Sequence, residues 1–225
     1  MSKILVFGAG GRAGGAAVEE ALRRGHEVTA AVRTPSKYAA AHATATTSAR
    51  ATATTSSPTA TTSTPAPKVV AADVTAPEAV ARLAAEHDAV IAAVYDPAPD
   101  FFPRAGQALA DNIGTTRLIW VGLASILATD NGTLLMDSPG YPTEYRAFFE
   151  AHREVTNRLA ASQADWVSIT PSGDFDHEHP ERTGSYRFAP GDATSRISYA
   201  DLAIALLDEI DEPRHRGVLL GVRRS

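Results

Sequence analysis

The stretch KILVFGAGGRAG, residues 3–14, joins a short apolar run directly to a turn rich in glycine. The apolar run, Lys3–Phe7, predicts a buried strand that ends at the glycines. The residues after the turn, Ala13–Arg24, carry apolar side chains at helical spacing and predict a helix that Gly25 ends. The order of strand, glycine turn, helix and second strand predicts the start of a parallel sheet.

The glycines of the turn have different steric roles in this unit. Gly8 permits the tight turn, Gly11 lets the backbone approach a diphosphate without a Cβ in the way, and Gly14 allows the helix to lie close to the strand. The amino terminus of the helix offers unpaired N–H groups and the positive end of its dipole to the phosphates. In this context the turn predicts a dinucleotide-binding loop. The residues expected to contact the dinucleotide are Gly8, Gly10, Gly11, Arg12, Ala13 and Gly14.

Strand and helix patterns alternate along most of the chain, which favours a parallel sheet covered by helices on both faces. We therefore predict an α/β fold of the Rossmann type, with a doubly wound sheet in a single domain spanning residues 1–225. Thr75 and Glu78 have the spacing of a capping box at the start of one helix. The later predicted strands are Glu27–Val32, Lys68–Ala72, Asp88–Val94, Arg117–Val121, Trp166–Thr170, Gly184–Phe188 and Gly217–Val222, and the later predicted helices include Phe101–Ile113, Pro142–Ser162 and Ser198–Ile210.

Two parts of the chain do not follow the alternating pattern. Residues 42–67 consist almost entirely of Ala, Thr, Ser and Pro, which cannot offset the entropy lost on ordering them. We interpret them as a flexible low-complexity insertion within the domain, with a lid or a partner-docking loop as the alternative. Segments around residues 123–150 and 171–197 follow predicted strands, whose carboxyl ends hold ligands in doubly wound folds. We expect these two segments to form a small C-terminal substrate cap.

The end of the second predicted strand indicates which dinucleotide binds. Proteins that bind NAD usually place an acidic residue there, which accepts a hydrogen bond from the ribose 2′-hydroxyl. In this chain Val32 is followed by Arg33, whose guanidinium can bind a 2′-phosphate through two hydrogen bonds. Arg12 and Lys37 are candidate further cations for the same phosphate. We therefore predict NADP(H) as the cofactor, with a solvated surface arginine as the alternative.

Further cofactor contacts are expected where the third and fourth strands end. Asp73 could accept a hydrogen bond from the exocyclic amine of an adenine, with the Val74 amide beside it. The alternative for Asp73 is an aspartate at the entry of a helix. Ala92 and Ala93 are small enough for a ribose to pass close to them, although small residues also fill protein cores.

The composition narrows the classes of function. Of 225 residues, 44% are hydrophobic and 21% are charged, which is ordinary for a chain that buries a core. A net charge of −5 without a Lys/Arg cluster argues against a nucleic-acid partner. The chain has no cysteine, which excludes disulfides, zinc–thiolate sites and a cysteine nucleophile. With no long apolar run and no signal-peptide pattern, we expect a cytoplasmic protein without a membrane partner, as a monomer or homodimer.

Several of these motifs resemble those of the atypical short-chain dehydrogenase/reductase group, which includes NmrA-like, NAD(P)H-binding and biliverdin/flavin reductase-like proteins. Residues 8–14 resemble its GATGxxG loop, with Gly10 in place of the usual threonine. Arg33 is similar to the arginine that selects NADP in that group, and residues 73–75 resemble its adenine-contacting turn. Residues 121–125 resemble a motif whose serine borders the nicotinamide. The resemblance implies a Rossmann fold that binds NAD(P)H.

The chain departs from that group at the usual catalytic pair. The Tyr-x-x-x-Lys motif is missing, because Tyr145 stands where Tyr141 would need its lysine and Phe149 stands where Tyr145 would need one. Such a lysine normally lowers the pKa of the tyrosine so that it can pass a proton. The candidate catalytic residues that remain are Ser125, Tyr145 and His177. The alternatives are a serine that caps a loop, a tyrosine that only packs, and a solvated loop around His177. The candidate substrate-binding residues are Tyr95, Ser125, Asp174, Phe175 and His177.

The histidines could also be metal ligands or surface residues of the long predicted helix. His177 and His179 flank Glu178 in a segment expected to be an extended loop, where neighbouring side chains project in different directions. We therefore expect no metal at this loop, although two imidazoles and a carboxylate are common zinc ligands. His152 is expected on the surface of the long predicted helix.

Three functions are compatible with these motifs. The first is an NADPH-dependent reductase of a small carbonyl, imine, quinone or flavin-like substrate, in which the cofactor carries the hydride and the protein handles one proton. The second is a non-redox cyclase or isomerase of a biosynthetic pathway on the same fold, with the loop Asp174–His179 as acid and base. The third is an NmrA-like binding protein that senses the NADP⁺/NADPH ratio.

Overall fold

The computed structural model describes residues 1–40 and 66–225. The insertion predicted at residues 42–67 lies outside the described residues except for its last two positions. Residues 35–40 are helical and are called α2. The other helices are α1 Arg12–Arg23, α3 Pro77–Ala84, α4 Phe101–Asn112, α5 Arg146–Ala161 and α6 Tyr199–Asp211. The strands are β1 Lys3–Phe7, β2 Glu27–Val32, β3 Lys68–Ala71, β4 Ala89–Ala92, β5 Arg117–Val121, β6 Trp166–Pro171, β7 Asp174–Phe175, β8 Tyr186–Phe188, β9 Arg196–Ile197 and β10 Val218–Arg224. Among the helices of the described residues, none is both long and apolar enough to cross a membrane.

Eight strands form one sheet in the order β3-β2-β1-β4-β5-β6-β10-β8. Neighbouring strands run parallel, except that β8 pairs antiparallel with β10. The chain builds outward from β1 to β3 and then returns to β1's other side to continue with β4. This doubly wound order confirms the predicted α/β fold of the Rossmann type. Its switch point lies between the carboxyl ends of β1 and β4, where a ligand crevice is expected.

Alternating side chains of the central strands build two cores, one on each face of the sheet. Leu5 and Phe7 of β1 pack with residues of α3, α4 and α5, whereas Ile4 and Val6 pack with residues of α1 and α6. Each of these four side chains is at most 1% exposed. Since the burial of such a side chain contributes roughly 1.5–3 kcal/mol, β1 is held firmly from both faces. The loop that leaves β1 therefore starts from a fixed position.

The two segments predicted as a cap are only partly separate from the main sheet. Strands β7 and β9 form a small two-stranded sheet of their own, whereas β8 adds to the edge of the main sheet beside β10. The N–H of Gly191 donates to the carbonyl oxygen of Ala128 at 2.8 Å, which joins the segments around residues 123–150 and 171–197. The two segments therefore contact each other, as expected for a cap, but one of their strands belongs to the main sheet.

The capping box predicted at Thr75 and Glu78 is wrong. Helix α3 is preceded by Ala76, and no side chain caps it. Instead, Oδ1 of Asp73 accepts hydrogen bonds from the N–H and the hydroxyl of Thr75, each at 2.8 Å. Because the Thr75 hydroxyl donates to the Asp73 carboxylate, Thr75 does not cap the helix. Pro77 then starts the helix, because its φ is already suited to the first helical position.

Candidate functional site

The glycine loop between β1 and α1 forms a backbone cradle at the carboxyl end of β1. Gly8 has a φ of 77°, in the left-handed region that favours glycine, and its carbonyl oxygen accepts a hydrogen bond from Gly11 N–H at 2.9 Å. Helix α1 starts directly after this turn, without a side-chain cap and without an acidic residue in its first turn. The positive end of its dipole therefore faces the turn with no competing carboxylate in that first turn, which suits a phosphate.

A side chain would not fit at two of these glycines. A Cβ on Gly8 would lie 2.0 Å from the carbonyl oxygen of Ala93, and a Cβ on Gly14 would lie 2.1 Å from that of Gly8. A Cβ on Gly10 would meet nothing closer than 3.8 Å. Gly8 thus lets the loop lie against the segment after β4, and Gly14 lets α1 lie against the loop. Gly10 lines the cleft, and a Cβ there would make only ordinary contacts with the side chains of Tyr38 and Val32.

A cleft of about 730 Å³ opens at the carboxyl ends of β1, β2, β3 and β4. Pockets for small ligands and cofactors commonly measure about 300–1,000 Å³. A cavity of about 640 Å³ at the amino ends of the strands, lined by Lys3 and His87 among others, contains none of the predicted site residues. The predicted residues that line the cleft are Gly8, Gly10, Gly11, Arg33, Lys37, Asp73, Val74, Ala93 and Tyr95.

The other predicted cofactor contacts differ in their positions. Ala92 is fully buried within β4 and does not line the cleft, so its observed role is core packing. Arg12, Ala13 and Gly14 form the first turn of α1, directly after the loop. Asp73 does line the cleft, although one of its carboxylate oxygens already accepts both hydrogen bonds from Thr75. The adenine contact at Asp73 therefore stays a prediction.

Arg33, directly after β2, forms an ion pair with Asp96, which follows β4. The Arg33 side chain is 60% exposed and that of Asp96 is 21% exposed. Oδ1 of Asp96 also accepts a hydrogen bond from Ala98 N–H at 3.0 Å. This amide, and then the Arg33 guanidinium, hold the pKa of the Asp96 carboxyl below its usual value. The sequence does not point to Asp96, because β2 and β4 are brought near each other only by the order of the sheet.

Arg12 reaches from the start of α1 to the loop after β7. One of its guanidinium nitrogens, Nη1, lies 3.3 Å from Nδ1 of His177. Phe175 stacks on Tyr199 of α6 with ring centroids 3.8 Å apart, and Asp176 accepts two backbone hydrogen bonds within the loop. These contacts fix the loop and bring His177 beside the glycine loop. Within residues 1–40 and 66–225, no group of three or more His, Cys, Asp or Glu side chains is arranged to hold a metal ion.

Two of the candidate catalytic residues differ sharply in exposure. Ser125 is fully buried in the short 3-10 turn Ala124–Ile126, and its Oγ has no hydrogen-bond partner among the described residues. Tyr145 immediately precedes α5, is 57% exposed, and packs against Phe149 with ring centroids 6.3 Å apart. In this conformation Ser125 offers no surface to a substrate, whereas Tyr145 does. Their catalytic roles stay predictions.

Aromatic side chains connect the cleft to α5. Tyr95, which lines the cleft, is 66% exposed and packs edge-on against Phe148, with ring centroids 6.1 Å apart. Phe148 contacts Phe149, which in turn lies 5.5 Å from Tyr141 between ring centroids. Burial, and then the charge of Asp174, raise the pKa of Tyr141, so its hydroxyl keeps its proton at neutral pH. The sequence points to Tyr141 only within the missing Tyr-x-x-x-Lys motif and does not place it among the aromatic side chains between the cleft and α5.

The prediction that His152 lies on the surface is wrong. His152 is 5% exposed, and its ring centroid lies 4.0 Å from that of Phe102 and 6.3 Å from that of Trp120. Its Nδ1 atom has no hydrogen-bond partner among the described residues. Burial lowers the pKa of His152 to about 3, so the ring is neutral in the folded protein at ordinary pH.

We expect His152→Phe to stabilise the protein more at acidic pH than at neutral pH. The unfolded chain gains a proton at His152 as the pH falls below 6.5, whereas the folded protein does not until about pH 3. Over that window this residue lowers the free energy of unfolding of the wild type by about 1.4 kcal/mol per pH unit. Urea unfolding should therefore give the variant an advantage that is about 2 kcal/mol larger at about pH 5 than at about pH 7.

Phe149→Leu serves as the control for this measurement, because Phe149 lies on the same buried stripe of α5 but carries no titratable group. Its replacement should give nearly the same difference from the wild type at both pH values. If the His152→Phe difference were also independent of pH, His152 would have to bind a proton in the folded protein as readily as in the unfolded chain.

The doubly wound sheet, the glycine cradle at its switch point and the cleft with a cation at its rim define a Rossmann-type dinucleotide-binding protein. The model of the NAD(P)H-binding family matches residues 8–213. The chain therefore belongs to the NAD(P)H-binding family, and its cofactor is a nicotinamide dinucleotide. YwnB of Bacillus subtilis, an uncharacterized protein, is 36% identical over an alignment that covers 95% of this chain and 94% of YwnB.

Solved structures agree with this assignment. A proposed NADH-flavin reductase from Streptococcus pneumoniae has a TM-score of 0.77 and 28% identity, with 100% of both chains covered. A proposed epimerase from Bacteroides thetaiotaomicron has a TM-score of 0.75 and 28% identity, with 98% of this chain and 96% of that chain covered. These similarities confirm the predicted resemblance to the atypical short-chain dehydrogenase/reductase group. Because the names point to different reactions, the chemistry has to be argued from the site.

Proposed function

We propose that the protein is an NADPH-dependent oxidoreductase that reduces a planar conjugated acceptor such as a flavin or a quinone. The observation that carries this proposal is the cleft at the switch point, which combines the glycine cradle with Arg33. Bound NADPH would supply a hydride from its nicotinamide ring. The residues of this chain bind the diphosphate, hold the 2′-phosphate and orient the acceptor.

The charges after β2 support NADPH over NADH. No acidic residue follows β2 directly, and Arg33 and Lys37 both line the cleft. A guanidinium binds a phosphate monoester through two charge-assisted hydrogen bonds, and Lys37 adds a second positive charge. NADH, which lacks this phosphate, would leave both cations without an anion from the nucleotide.

The missing tyrosine–lysine pair favours an acceptor that does not need a strong general acid. Reduction of an isolated carbonyl creates an alkoxide, which needs a proton at once. A reduced flavin or quinone spreads its negative charge over a ring and can take its proton from water. Tyr95 and Tyr145, which are 66% and 57% exposed, offer aromatic faces against which such a ring can stack. The proposed NADH-flavin reductase of Streptococcus pneumoniae is named for such an acceptor, with NADH rather than NADPH as the donor in its name.

Oxidation of NADPH in the presence of different acceptors tests this proposal. The full chain would be mixed with NADPH and FMN, FAD, menadione or a simple aldehyde, and the near-ultraviolet absorbance of the nicotinamide would be followed. We expect oxidation with the flavins or the quinone and little with the aldehyde, and we expect Tyr145→Ala to raise the acceptor KM. Tight NADPH binding without turnover would favour a protein that senses the NADP⁺/NADPH ratio. Conversion of a substrate without the cofactor would favour a non-redox enzyme.

Arg33→Ala is expected to weaken NADPH binding by about 30-fold, since hydrogen bonds to a charged group are worth about 1.5–3 kcal/mol. The dissociation constant for NADH should change little, because NADH has no 2′-phosphate. Isothermal titration calorimetry with both nucleotides measures this. Arg82→Ala is the comparison, because the Arg82 side chain is also 60% exposed but does not line the cleft. Equal losses of affinity for NADPH and NADH would contradict the assignment of Arg33 to the 2′-phosphate.

A further inference from the structure

The guanidinium assigned to the 2′-phosphate already has a partner within the protein. Arg33 is paired with Asp96 across the carboxyl end of β1, because the sheet places β1 between β2 and β4. The chain neighbours Thr34 and Tyr95 line the cleft on the two sides. Asp96 itself does not line the cleft, so it acts on a bound nucleotide through its contact with Arg33. A 2′-phosphate that binds Arg33 must draw the guanidinium away from Asp96 or share it.

We propose that Asp96 determines how strongly the protein prefers NADPH to NADH, because its carboxylate competes with the 2′-phosphate for Arg33. This inference rests on the proposed function, in which Arg33 binds that phosphate. Competition follows from the chemistry of the two anions, since a carboxylate and a phosphate both accept hydrogen bonds from the planar fork of a guanidinium. NADPH therefore binds less tightly than the cations of the site alone would allow.

Asp96 is held in place by more than Arg33. Its Oδ1 accepts the hydrogen bond from Ala98 N–H at 3.0 Å, and only 21% of its side chain is exposed. The amide and the guanidinium hold its pKa low, so the carboxylate is charged at neutral pH. When a phosphate takes the guanidinium, the carboxylate stays close by and repels the phosphate.

The Asp96 carboxylate can also contact NADH favourably. A ribose 2′-hydroxyl can donate a hydrogen bond to it, which is the role that an acid after the second strand plays in NAD-binding proteins. In this chain that position after β2 is Arg33, and the nearby acid comes from the segment after β4. Asp96 therefore lowers the affinity for NADPH and supports the affinity for NADH.

Asp96→Asn tests this inference, because asparagine keeps the shape and an acceptor for Ala98 N–H but removes the charge. We expect the dissociation constant for NADPH to fall by about two- to fivefold, and that for NADH to stay unchanged or rise. Calorimetric titration of the full chain with each nucleotide gives both values. Asp100→Asn removes one negative charge nearby, from a side chain that is 63% exposed and pairs with Arg104 instead of Arg33, and should change neither value.

Asp96→Asn in the Arg33→Ala background separates competition for Arg33 from a general effect of charge. Most of the gain in NADPH affinity should disappear there, because two residues that act through one contact are not additive. An equal gain for NADPH and NADH in the single variant would mean that the ion pair merely obstructs the cleft, and a loss of NADPH affinity would mean that Asp96 positions Arg33. Either result, or no change at all, would overturn the inference alone. If the wild type bound neither NADPH nor NADH, the proposed function would be overturned.

Discussion

Gly14→Ala is expected to reduce the affinity for NADPH by about ten- to a hundredfold, the scale of losing one hydrogen bond to a charged phosphate, about 1.5–3 kcal/mol. A Cβ at residue 14 would lie 2.1 Å from the carbonyl oxygen of Gly8, 2.6 Å from its carbonyl carbon and 3.0 Å from Cα of Ala9. These are backbone atoms that cannot swing aside as a side chain can, so α1 or the glycine loop must move. Overpacking of this kind also costs about 1–3 kcal/mol of stability.

Gly15→Ala, one residue further along the same helix, is the control for this prediction. A Cβ there would lie 3.6 Å from the carbonyl oxygen of Ala9, which is an ordinary contact. Because alanine is the better helix former, this variant should be more stable than the wild type by about 0.5–1 kcal/mol and should bind NADPH equally well. Calorimetric titration and urea unfolding measure the two effects. Wild-type affinity in Gly14→Ala would contradict the assignment of the loop as the diphosphate site.

The strands could be predicted from the sequence because short apolar runs mark them. The observed bounds of β1, β2 and β5 are those that the pattern predicts. The start of the long helix was less accurate, since the helix predicted from Pro142 begins at Arg146. The N–H of Arg146 donates to the carbonyl oxygen of Thr143 at 3.1 Å, which makes a tight turn before the helix. A few local hydrogen bonds decide such an end, and apolar spacing does not encode them.

The parts of the candidate site that directly follow a strand in the sequence could be predicted. The contacts between residues far apart in the sequence could not. The glycine loop and Arg33 each follow a strand directly, so their places could be inferred. Asp96 is 63 positions away from Arg33 along the chain, and only the order of the sheet brings the two together. His152 is a different case, because it lies on the buried stripe of α5 with Phe149 and Val155. The helical spacing predicts that His152 is buried, whereas its polar residue type predicts the surface. In the folded protein the spacing decides.

Arg117 anchors the amino end of β5 to α6 and to the segment after it. Its Nε donates to the Glu209 carbonyl oxygen at 2.8 Å, and its Nη2 donates to Oε2 of Glu209 at 2.8 Å and to the His215 carbonyl oxygen at 2.9 Å. The side chains of Arg117 and Glu209 are 10% and 4% exposed. Burial raises the pKa of Glu209, but hydrogen bonds from His215 and from nearby amides outweigh it and keep the pKa below its usual value. The carboxylate therefore stays charged and depends on its partners.

Arg117→Met is expected to lower the free energy of unfolding by about 3 kcal/mol, the lower end of the loss when a buried ion pair loses one member. Methionine keeps much of the length of the side chain, so the loss comes from the hydrogen bonds of Arg117 and from the charge of Glu209, which keeps only its contacts with Arg214 and His215. Arg216→Met is the comparison, because Arg216 pairs with Asp165 at 3.4 Å, as Arg117 does at 3.0 Å, but the Arg216 side chain is 69% exposed. It should cost less than about 1 kcal/mol. Urea unfolding of both variants checks the difference, and equal losses would contradict the special role of the buried pair.

The same variant separates the stability of the fold from the nucleotide site. Arg117 is the first residue of β5, whereas the glycine loop and Arg33 follow the last residues of β1 and β2. Because these strands are parallel, the two regions lie at opposite ends of the strands. Since a ligand stabilises the folded state by an amount set only by its concentration and its dissociation constant, NADPH should add the same free energy of unfolding to Arg117→Met as to the wild type. A smaller increase in the free energy of unfolding in the variant would mean that the cleft depends on the Arg117 anchor at the amino ends of the strands, because the altered side chain cannot reach the nucleotide.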